Sequence, residues 1–99
     1  DVTIGHGAII HCRSIGDGSL IGMGSVLLED VAVGEGSLIA AGAVVAPGTQ
    51  IPPRSLVVGV PGRIVREVSE TELASFIASA NKYAKNAVHF QRNYGDHSQ

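Results

Sequence analysis

Charge, cysteine, proline and aromatic rings are all scarce in this 99-residue sequence. Charged residues make up 16%, with seven basic against nine acidic, a net charge of −2. That balance provides no electrostatic footprint for a nucleic acid or an anionic membrane surface. The single cysteine, Cys12, excludes an internal disulfide framework and fits a reducing, cytoplasmic setting. Apolar runs are short: the stretch 38–46 is interrupted by glycine and far below the length that crosses a bilayer. Four prolines and the lack of a Gly-X-Y period exclude collagen and a Pro-rich linker. Hydrophobic residues nevertheless reach 44%, so the chain is not a disordered tail.

What the sequence has in excess is glycine, 13 residues, and nearly all of it lies on one side. Every glycine except Gly95 falls at or before Gly62, whereas all four aromatics (Phe76, Tyr83, Phe90, Tyr94) fall after it. Two regimes follow: residues 1–62, and a connector, helix and polar tail over 63–99.

The first regime repeats with a period of six. Ile4, Ile10, Ile15, Ile21, Leu27, Val33, Ile39, Val45, Ile51 and Val57 each open a unit. The fifth place is small or β-branched: Ala8, Ser14, Ser19, Ser25, Val31, Ser37, Ala43, Thr49, Ser55. One unit, 10–14, is a residue short. Three such units make a triangular coil, with the leading aliphatic pointing inward, the small residue beside it and glycines at the corners. The expected fold is an all-β left-handed parallel β-helix of about three coils, followed by a C-terminal α-helix. A sandwich of short strands would need alternation and tight hairpin turns, and neither is present.

In the second regime Ser69-Glu70-Thr71-Glu72 matches a capping box. Leu73, Phe76, Ile77, Ala80, Tyr83, Ala84, Ala87 and Val88 follow at helical spacing as one apolar stripe. The chain opens on Asp1 inside a repeat and reads as the C-terminal portion of a longer protein.

Among residues that could carry chemistry, His89 and His97 lie in the late helix and tail, where a solvated role is expected. His6 and His11 stand five apart within the repeats, on successive units whose faces turn by about 120°. Two readings stay open: outward polar residues on a wet face, or two metal donors that one chain cannot close on a single ion. Cys12 reads as a small buried residue rather than an adventitious ligand, and Met23 as packing; Arg13 reads as one partner of a surface salt bridge, the alternative being a cation that approaches a substrate anion.

The phrase IGHGAIIH, the short unit after it, IGDGSLIGMGS and the later IPPRSLVVGVPGRIVRE together resemble the γ-class carbonic anhydrase family, as does SANKY in the helix. That resemblance implies a homotrimer of β-helices with a metal, zinc or else iron or cobalt, bound between subunits. His6 and His11 would then be ligands from opposite subunits, and Tyr83 a catalytic residue near the site. The implied reaction is reversible hydration of carbon dioxide to bicarbonate by metal-bound hydroxide. The third histidine and flanking acid–base groups of that family lie upstream of the segment matched here, so these residues alone would be inactive. A CoA-dependent acyltransferase on the same fold, or a non-catalytic structural trimer, are the alternatives; the unbroken register from Ile4 to Val57 leaves no long loop of the acyltransferase kind.

Unpaired edges of β-coils invite pairing with other chains. The protein is therefore expected to be oligomeric or aggregation-prone in light scattering, and a monodisperse monomer would contradict the architecture.

Overall fold

A computed structural model describes residues 1–83. Nine two-residue strands wind three triangular coils: β1 (Thr3–Ile4), β2 (Ile9–Ile10), β3 (Ser14–Ile15), β4 (Leu20–Ile21), β5 (Val26–Leu27), β6 (Ala32–Val33), β7 (Leu38–Ile39), β8 (Val44–Val45) and β9 (Gln50–Ile51). β10 (Ser55–Val58) begins a fourth, β11 (Arg63–Glu67) turns back along it, and α1 (Glu70–Tyr83) follows. Stacked strands form three parallel faces: β1-β4-β7-β10 with β11 antiparallel at the edge, β2-β5-β8, and β3-β6-β9. The parallel β-helix and terminal helix expected from the hexads are what the chain forms.

The unit's chemistry explains the coil. Leading aliphatics fill the prism: Ile21, Leu27, Ile39 and Val45 are wholly buried, and Ile4, Val33, Ile51 and Val57 nearly so. The fifth place turns a small side chain in beside them. Where it is serine, the hydroxyl supplies hydrogen bonds that a two-residue strand cannot. Ser37 N–H donates to Ser19 Oγ at 3.1 Å, and Ser55 N–H to Ser37 Oγ at 3.2 Å. The Ser19 and Ser37 hydroxyls donate in turn to the carbonyls of Gly34 and Pro52, both at 3.1 Å. Among the described residues no buried side-chain polar atom is left without a partner.

Register locates the short unit. Leu20 lies under Thr3 and Val26 under Ile9, each 17 residues on, whereas Ala32 lies under Ser14, 18 residues on. The missing residue is therefore in the corner between β2 and β3. Ser14 pairs with Ala32 and is exposed, so it is not a fifth-place residue; Cys12 packs against the core instead. The phase slips here because the corner, not the strand, is shortened.

α1 lies on the first face. Leu73, Ile77 and Ala80 pack with Leu20, Leu38, Leu56 and Val68. Its start is the expected capping box: Glu72 N–H donates to Ser69 Oγ at 3.0 Å. Arg66 donates two hydrogen bonds to the Glu72 carboxylate, at 2.8 and 2.7 Å, and these hold that carboxyl below its ordinary range. Phe76 departs from the expected stripe. It sits at the stripe's shoulder and is 46% exposed. Ala84, Ala87 and Val88 lie outside the described residues. The connector also holds a strand, β11, where none was expected.

Two glycines test the coil spacing. A methyl on Gly22 would stand 2.6 Å from Ile39 O and Ala41 N of the next coil, whereas Gly42, at φ 75°, faces open space. Gly22→Ala should cost about 3 kcal/mol in urea unfolding and Gly42→Ala roughly 1 kcal/mol. The reverse order would contradict close coil stacking.

Candidate functional site

The two histidines of the repeats occupy two corners of the first coil. His6 is in the corner between β1 and β2, His11 in the corner between β2 and β3, and both are exposed. A strand separates them, so they stand at opposite ends of the second face. Backbone bonds fix the first corner: Gly24 N–H donates to His6 O at 2.8 Å and Gly42 N–H to Met23 O at 2.9 Å. His6, Met23 and Ala41 thus share the same place in successive coils. Met23 is 61% exposed and does not pack in the core as its apolar character suggests. Its third place in the unit, the same as that of His6, was the available signal.

The second corner is extended. The N–H groups of Ile9, His11 and Arg13 all donate to the next coil, to Ser25 O, Leu27 O and Val31 O, at 2.9, 2.8 and 2.8 Å. Every second N–H pointing one way is the two-residue period of an extended chain, so side chains alternate. Ile10 and Cys12 pack against the core, while Ile9, His11 and Arg13 form an outward ridge.

The three faces differ in what covers them. The first carries α1, and the third is lined outside by Ser14, Ala32 and Gln50. The second presents Ile9, Val26 and Val44, an apolar row with Ile9 49% exposed. At its lower end the turn at 59–62 bonds to both backbone groups of Val44 and leaves Val60 exposed. The face is thus apolar along its length, with one imidazole at each end of its first strand.

Comparison with known proteins agrees with the repeat fold. Residues 14–47 match the family model described as bacterial transferase hexapeptide (six repeats). A "Probable carbonic anhydrase" of Methanocaldococcus jannaschii is 54% identical over 85% of this chain and 53% of its own. Gamma carbonic anhydrase 1, mitochondrial, of Arabidopsis thaliana is 39% identical over 85% of this chain and 30% of its own. A hexapeptide transferase family protein from Anaplasma phagocytophilum has a TM-score of 0.70 at 33% identity, covering 94% of this chain and 54% of that one. The chain belongs to the hexapeptide-repeat, γ-carbonic anhydrase-like family. It spans about half the length of its archaeal relative and less than a third of the plant one.

In this γ-carbonic anhydrase-like chain the repeats offer two imidazoles as metal donors, His6 and His11. Imidazole suits zinc, iron and cobalt alike. Both rings are open to a partner, but no group of three ligating side chains comes together among the described residues. Two exposed imidazoles on separate corners fit a metal shared with other donors, not one enclosed by this segment. Tyr83 ends α1; its side chain, like His89 and His97, lies outside the described residues.

Cys12 sits beside His11 but turns inward, and burial pushes its thiol above the ordinary cysteine range. It should therefore be alkylated more slowly than a small free thiol at pH 7, with urea restoring the full rate. Rapid alkylation of the folded protein would contradict its inward placement.

Proposed function

We propose that this chain supplies two of the imidazoles of a divalent metal centre shared between the subunits of a homotrimer, and that the assembled protein reversibly hydrates carbon dioxide to bicarbonate. The observation that carries the reading is the second face: apolar, uncovered by the chain's own helix, and ended by His6 and His11. Packing a second protomer against that face removes Ile9 and its neighbours from water, which favours association. It also brings the His6 corner of one subunit toward the His11 corner of another, the only way two divergent rings meet at one ion.

Zinc fits the donors, with iron or cobalt as replacements. When bound, the metal supplies Lewis acidity that lets water ionise near neutral pH. His6 and His11 hold the centre through imidazole nitrogens. Tyr83, at the end of α1, is the residue we assign to orient the water or bicarbonate. The apolar row, once covered by the second protomer, keeps bulk water from the side of the centre that it borders. The remaining donors come from outside the described residues.

The transferase relatives support a second reading, acyl transfer from a CoA thioester. The coils take up no insertion, which favours the first, because among the described residues no loop leaves a coil to carry an acyl-transfer base. A structural trimer without turnover is the third.

Metal analysis and carbon dioxide hydration on the assembled protein decide among them. Wild type should carry about one zinc per subunit, and His6→Ala should lose most of the metal and the activity while remaining a trimer. A trimer with no metal and no hydration, or saturable binding of acetyl-CoA, would overturn the proposal.

A further inference from the structure

The corner that holds His11 carries a second group that makes no ion pair or side-chain hydrogen bond among the described residues. Arg13 follows two residues later on the same outward ridge, since Ile9, His11 and Arg13 all donate backbone bonds to the next coil and Cys12 between them turns in. The corner is one residue shorter than those beneath it and extended, so Arg13 stands one two-residue step along the ridge from His11. Two carboxylates, Glu29 and Asp30, occupy the same corner of the coil beneath. Neither pairs with Arg13: among the described residues the side-chain ion pair is Arg66–Glu72, and no hydrogen bond engages the Arg13 side chain. Arg66 shows what an arginine with a structural role looks like here, two hydrogen bonds to one carboxylate. Arg13 has the same planar fork and leaves it free.

We infer that Arg13 is an oxyanion-binding residue of the shared site, gripping a small planar anion of the bicarbonate class beside His11. The inference rests on the metal reading above and adds a residue to it. A guanidinium offers two parallel N–H donors that match a trigonal carboxylate-like group, which a lone imidazole cannot do. Placed at the rim of an apolar face, it draws the anion to the edge of the site, where it can leave into water. Arg13 thereby favours product binding and release geometry over carbon dioxide, which carries no charge for it to read.

The test is calorimetric titration of the zinc-loaded assembly with bicarbonate, and with chloride as a charge-only probe. Arg13→Ala should weaken bicarbonate about tenfold, the loss expected for one charge-assisted bidentate contact. Zinc content should stay unchanged. Arg13→Lys should fall between, keeping the charge and losing the fork. Arg63→Ala, on β11 at the edge of the first face, should bind like wild type. A zinc-loaded Arg13→Ala protein with wild-type bicarbonate affinity overturns this inference alone, as does an equal loss for chloride and bicarbonate. A wild-type assembly that takes up no zinc overturns the metal reading and this inference with it.

Discussion

The hydrogen bonds that each coil donates to the next decide where every outward side chain stands. With strands only two residues long, no strand is stable by itself, and the ladder between coils supplies most of the order. The ladder tolerates little variation in spacing. Gly22 stands so close to the backbone of the next coil that a methyl group has no room. The serine column from Ser19 to Ser55 serves the same ladder from inside, giving buried N–H groups an acceptor at a corner. Because the register is fixed, one residue removed between β2 and β3 does not shift the strands. It is absorbed in the corner, and the corner becomes the ridge that bears His11 and Arg13.

A triangular coil has three outer faces, and this chain spends them differently. α1 packs on the leucines of the first face, and the third carries the small and polar Ser14, Ala32 and Gln50. The second face is left apolar, and its ends are where the imidazoles stand. In the proposed assembly, association and chemistry are tied together: the surface that would gain by excluding water is the one that would bring the separated donors toward each other. An exposed apolar row on a chain with so few charges is what the proposed assembly would cover.

Much of the fold was legible because the leading aliphatic recurs at every sixth residue, and a buried prism axis leaves no other choice for those positions. The capping box at Ser69 was legible for the same local reason, since its hydrogen bonds lie within three residues. Ser14 was misplaced because a six-residue rule cannot say which residue of a shortened unit is missing; the pairing with Ala32 does. Phe76 has helical spacing but lies at the edge of the buried stripe, and spacing alone does not say how wide a stripe the sheet can cover. β11 gave no alternating signal, because it is exposed along its length and owes its form to β10. For the site, His6 and His11 could be singled out by residue type and phrase. Their placement at opposite ends of one uncovered face, and Arg13's place on the ridge, depend on coil hydrogen bonds that spacing does not reveal.

The central claim is that the metal centre belongs to two chains at once, and co-assembly of His6→Ala with His11→Ala chains tests it most directly. Neither variant alone can form the proposed site. In a random one-to-one mixture, three-quarters of the trimers contain both kinds of chain, and each of those restores one interface in three. Zinc should therefore return to about one-quarter of the wild-type content. A mixture as empty of zinc as the separate variants would place both ligands in one chain and contradict the account.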